Sequence, residues 1–142
     1  MKTVLVSLTM ALMIWSGPVV RAGEPDLTPP PGDSVRVAVL EALRLEVKRN
    51  LGLDVVFVVG HLRVKDGWAW VHTRPQSPDG ENRYEDVSAL LELRDGGWEV
   101  VEIPCTEVDN SDCPDGRELF DRLRERHPAA PAEVFPRESE TT

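Results

Sequence analysis

Cysteine, histidine and aromatic side chains are scarce in this 142-residue chain: it has two cysteines and three histidines, and Phe, Trp and Tyr together make up 6%. The two cysteines show no Cys-x-x-Cys spacing and no histidine close by, which excludes a zinc ribbon and a dithiol redox motif. Positive charge is also short, with 16 Lys and Arg against 25 Asp and Glu, a net −9. An acid excess of that size repels phosphate backbones and anionic headgroups, so neither nucleic acid nor a membrane surface is an expected partner. No Gly-rich phosphate loop occurs, no serine sits in a nucleophile elbow, and no repeat or heptad pattern is present. These absences remove nucleotide binding, esterase-type catalysis and an extended scaffold from the leading readings.

What is present begins with a targeting pattern. Met1-Lys2 supplies a short basic start, an apolar run from Val4 to Trp15 follows, and Val20-Arg21-Ala22 ends in a small residue. The run is well under the roughly 20 residues that a bilayer core demands, so residues 1–22 read as a cleaved secretory signal and not as an anchor. Its removal takes Lys2 and Arg21 but no acid, leaving 14 cations against 25 acids. The expected destination is the periplasm or the exterior, where Cys105 and Cys113 would pair as a structural disulfide.

Proline is concentrated in two flanks. Residues 23–32, with Pro29-Pro30-Pro31-Gly32, read as a Pro-rich linker, and residues 128–142 as an unstructured tail. The folded unit is therefore expected over residues 33–127.

Within that unit Val39, Leu40, Leu43, Val47 and Leu51 recur at helical steps after the capping candidates Asp33 and Ser34, and Gly52 supplies a left-handed close. Residues 53–65 and 68–74 are rich in Val, Phe and Trp and flank Asp66-Gly67, a strong two-residue hairpin signal. That turn pairs Val64 with Ala69, Arg63 with Trp70, Leu62 with Val71 and His61 with His72. Strands are expected again at 86–94 and 98–103 around Asp95-Gly96-Gly97, with the register left open because loops of two and of three residues each set an acid opposite an apolar residue. Asp115 and Glu118 form a capping box for a short helix carrying Leu119, Phe120 and Leu123. The reading is an α+β domain: one long N-terminal helix packed on a curved four-stranded antiparallel meander, with a short C-terminal helix.

This order, with Trp68-Ala69-Trp70-Val71 and the later Leu90-Leu91 and Gly97-Trp98-Glu99-Val100-Val101, resembles small secreted bacterial domains of the broad cystatin-like and NTF2-like kind. The resemblance covers most of residues 33–103 and implies the fold, with no activity attached to it. Val58-Val59-Gly60 is similar to the Gln-x-Val-x-Gly hairpin of cystatins, but Val56 stands where Gln belongs and no Pro-Trp pair follows. No inhibitory residue is carried over. Gly60 alternatively marks a bulge.

Two paired imidazoles, His61 and His72, would lie about 5 Å apart at Cβ and could share a metal, but no third ligand is placed by the pattern, and Arg63 and Arg74 stand nearby. Glu107, Asp109, Asp112 and Asp115 crowd the cysteine loop without EF-hand spacing. No metal or cofactor is expected. His61, Arg63, Trp68, Trp70 and His72 form an aromatic and basic strip, of the residue types that dominate interface hot spots. Either this strip is exposed and binds a partner, or the C-terminal helix or tail covers it.

The expected function is an exported, non-catalytic domain binding an unknown protein or small ligand through that strip. The alternatives are a secreted inhibitor or immunity-type protein, and an NTF2-like enzyme whose active site no motif reveals. One prediction follows from the cysteines: Cys105→Ser with Cys113→Ser should lower unfolding stability by about 2.5 kcal/mol in urea titration, the chain-entropy value for so short a loop.

Overall fold

The computed structural model describes residues 27–105, 110–114 and 116–137. The expected signal segment and the end of the expected tail lie outside the described residues. Helix α1 is Ser34–Leu51. Asp33 caps it, one carboxylate oxygen accepting from the backbone N–H of Val35 at 2.8 Å and of Arg36 at 3.3 Å. Gly52 closes it at φ 69°, with its N–H on the Lys48 carbonyl. Val39, Leu43 and Val47 are buried, whereas Leu51 is 63% exposed. The reason is helical drift: each four-residue step overshoots a full turn by about 40°, and three such steps carry Leu51 off the face that Val39 began.

Four strands follow, β1 (Val56–Lys65), β2 (Trp68–Gln76), β3 (Val87–Arg94) and β4 (Gly97–Glu102), in the sheet order β1-β2-β3-β4. The first hairpin has the register expected from its turn, with Asp66 at φ 50° and Gly67 at φ 76° forming the mirror-image turn that matches strand twist. The β1–β2 register shifts between Val59 and His61, so Gly60 does mark a bulge. Asp95 and Gly96 repeat the same turn at φ 49° and 80°, which settles the second hairpin on a two-residue loop, Arg94 opposite Gly97. Glu102 is accommodated by a second shift: Leu91 pairs with Val100 but Leu90 pairs with Glu102. Val101 packs against the cluster on the outer face, and Glu102 meets Arg126 and His127.

Alternation puts two apolar sets on opposite sides of the sheet. The inner set joins Val39, Leu43 and Val47 to Leu62, Ala69, Val71, Ala89 and Leu91. On the outer side Trp68, Trp70 and Leu90 meet Leu119 and Leu123 of α2 (Gly116–Arg126), then Ala130, Val134 and Phe135. The expected α2 cap Asp115 lies outside the described residues. Residues 128–137, read as tail from their proline content, instead form a cover with a 3-10 turn at Ala132–Val134. The outer face of the sheet is apolar, so leaving it bare would cost more than ordering this short segment. The linker expectation for residues 23–32 is likewise revised in its described part: the Leu27 carbonyl accepts from Val64 N–H at 2.8 Å on the free edge of β1.

Trp70, Phe120 and Phe135 form a three-ring cluster, with centroids 5.5 Å apart for Trp70–Phe120, 5.6 Å for Trp70–Phe135 and 5.5 Å for Phe120–Phe135. Cys105 and Cys113 are disulfide-bonded, with Cα atoms 5.3 Å apart. Among the described residues no helix is long and apolar enough to cross a membrane. Because Phe135 seals the outer cluster, Phe135→Ala should cost about 3 kcal/mol in urea unfolding and shift tryptophan emission to the red; unchanged emission would show that the indoles do not depend on this cover.

Candidate functional site

Even-numbered residues of β2 from Trp68 to Gln76 look outward, and the cover divides them. Trp68 and Trp70 are 7% and 2% exposed, so the aromatic half of the expected binding strip is interior, closed over by α2 and the segment after it. His61 is half-buried and fixed by that cover, its Nε2 lying 3.1 Å from the Val134 carbonyl oxygen. A carbonyl only accepts, so Nε2 carries the hydrogen and His61 serves as a donor to an otherwise poorly solvated backbone group. Arg63 is half-buried and has partners of its own.

His72 is half-buried as well. Its Nδ1 lies 2.9 Å from Ser88 Oγ and its Nε2 lies 3.4 Å from Asp86 Oδ2. The ring lies over the bulge at Gly60, where a Cβ would come within 3.1 Å of His72 Cδ2. The two histidines therefore sit opposite each other, as their pairing requires, yet are directed at different partners. Among the described residues no group of three His, Cys, Asp or Glu could hold a metal ion. Glu107, Asp109 and Asp115 of the acidic loop lie outside the described residues. Ser88, His72 and Asp86 have the residue types of an acyl-transfer triad, but Ser88 is 6% exposed and meets the ring at Nδ1 with Asp86 at Nε2, the reverse of the triad's wiring.

One concavity borders Asp86 and a second lies on the cover. One, of about 180 Å³, lies at the uncovered end of the sheet between Val58, Arg74, Gln76, Arg83, Tyr84 and Asp86. The other, of about 680 Å³, is an open groove on the cover itself, between α2 and the segment after the 3-10 turn. Phe120 and Phe135 form its floor, and Arg117, Arg124 and Arg137 line it with Asp121. Trp70 packs beneath that floor, edge-on to Phe120. The aromatic and basic character expected on the sheet thus reappears one layer further out. Arg74 follows from the alternation 68, 70, 72, 74 and was legible in the sequence. Arg83 and the groove arginines were not, because their places depend on a loop and on a cover that no periodicity announces.

The cover is tied to β4 through Glu102. Burial raises the pKa of this carboxyl, but hydrogen bonds from Arg126 and His127 outweigh that and hold it below its ordinary value. Comparison of the chain with protein-family models, curated proteins and solved structures yields no match.

A depressed folded-state pKa means that Glu102 contributes stability above its unfolded value of 4.5 and loses it as the pH falls through the folded value. Glu102→Gln should therefore destabilise by about 1 kcal/mol at pH 7, with the gap narrowing as the pH falls below 4.5 and through the folded-state value. Urea titrations of both proteins at neutral and acid pH measure this, and a gap that persists in acid would contradict it.

Proposed function

We propose that this chain is an exported, non-catalytic binding domain that holds a partner protein against the aromatic and basic groove on its C-terminal cover. The observation that carries this reading is local charge reversal. In a chain with 25 acids and 16 bases, three arginines and one acid line a groove floored by two phenylalanines. Arginine and aromatic side chains are the anchors of interface hot spots, and a cationic patch on an acidic body orients an acidic partner and disfavours wrong registers. The strip of Trp68 and Trp70 then serves as the foundation of the surface and not as the surface itself.

Export is supported by the basic-then-apolar start of the sequence and by the Cys105–Cys113 disulfide, which persists in oxidising compartments. The order of one helix followed by an antiparallel meander supports the likeness to cystatin-like and NTF2-like domains, in which the sheet curves around a long helix. That likeness brings no active-site or inhibitory residue with it.

The test is affinity capture from the exported fraction of the source cells, with wild type beside Arg124→Glu. A protein retained by wild type and lost in the variant is the expected result, and an assay of that protein's own activity, free and bound, separates a plain binding module from an inhibitor. Identical retention by both baits, or none by either, would remove the groove from consideration.

A further inference from the structure

The lysines and arginines of the described residues are almost all engaged. Arg44, Arg49, Arg94, Arg122, Arg124 and Arg126 pair with nearby carboxylates, as do Lys48 and Lys65. Arg36 donates to the Pro29 carbonyl, and Arg63, Arg117 and Arg137 have partners too. Arg74 and Arg83 are the two whose guanidinium groups form no ion pair or hydrogen bond. In a chain so rich in acid, two uncompensated arginines are unexpected, and both line the same 180 Å³ cleft.

The cleft has a rigid frame. Arg74 stands on β2 opposite Val58, and Arg83 lies across a backbone bridge from Gln76. The loop between them is closed by Ser77 N–H on the Asn82 carbonyl at 2.9 Å, Tyr84 N–H on the Pro75 carbonyl at 3.0 Å and Asn82 N–H on Ser77 Oγ at 3.0 Å. Asp79 binds the Ser77 hydroxyl and the Glu81 N–H, which pin the tip of the loop. The backbone that carries both arginines is thus fixed before any ligand arrives, which lowers the ordering cost of binding. Asp86 is the one carboxylate on the lining, and its Oδ2 faces His72 Nε2. Gln76 and Tyr84 add an amide and a phenol as uncharged donors.

We propose that Arg74 and Arg83 form a binding site for a phosphate or sulfate group. Two guanidinium forks on separate elements suit a tetrahedral group, whose three or four oxygens can be shared between them. The volume fits such a group and falls below the roughly 300 Å³ at which pockets for larger organic ligands begin. The acidic remainder of the chain does not forbid this, because charges beyond about 8 Å are screened at physiological salt. The site lies at the uncovered end of the sheet and is independent of the groove proposed for a partner protein.

The experiment follows the Nε–Hε signals of arginine by NMR while sodium sulfate, sodium phosphate or phenyl phosphate is titrated into the mature chain, with sodium chloride holding ionic strength constant. Saturable shifts for Arg74 and Arg83 are expected with sulfate and phosphate, with affinity reduced at least tenfold in Arg74→Gln and in Arg83→Gln and unchanged in Arg49→Gln. Tighter binding of phenyl phosphate would assign the group to an organic phosphomonoester, and equal binding to the free anion. Linear shifts matching the chloride control, or affinity retained in either cleft variant, would overturn the site. Arg124→Glu, which tests the groove, leaves this readout unchanged, so the two proposals fail separately.

Discussion

Two indoles on one strand, Trp68 and Trp70, set the terms for everything outside the inner core. Strand alternation commits them to the face away from α1, together with Leu90 on β3. That apolar face cannot be left to water, and α2 alone supplies only Leu119 and Leu123 as fully buried contacts. Past His127 the chain brings Val134 and Phe135 across β1 and β2. Once they are in place, polar groups must be satisfied around them, and His61 and Lys65 do this by meeting the Val134 carbonyl and the Glu133 carboxylate. The domain is thus a sheet with a helix on one side and a helix plus strap on the other.

Much of the inner layer could be read directly from residue order. Asp33 and Gly52 bracket α1 because a short acceptor side chain and a residue free to adopt positive φ are what helix ends require. Asp66-Gly67 determined the register of its hairpin as far as His61 opposite His72, beyond which the bulge at Gly60 shifts the pairing by one residue. The second hairpin was ambiguous because alternation presumes a uniform pleat, and the shift beside Val101 breaks that pleat without any glycine to announce it.

The outer layer was hidden for a different reason. Ala130, Val134 and Phe135 have neither helical nor strand period, and they lie among prolines that locally favour extended backbone. Their burial is decided by a cluster that reaches back to Trp68 and Trp70, about sixty positions earlier, which no local window reports. The candidate sites inherit that difficulty: Phe120, Phe135 and the groove arginines meet only when the strap is down, and Arg83 reaches the cleft only through the closure of a loop. His61 belongs by pairing to the expected binding strip, and its Nε2 donates to the Val134 carbonyl of the strap.

The strap also imposes an order on how the molecule comes into being. Synthesis runs from the N-terminus, so α1 and all four strands emerge before the residues that close the outer face. A chain lacking Phe135 would leave two indoles uncovered, a surface suited to chaperone capture and to self-association. Closure of the outer face therefore waits on Val134 and Phe135, and a chain cut before them would suffer in solubility more than in the architecture of the sheet.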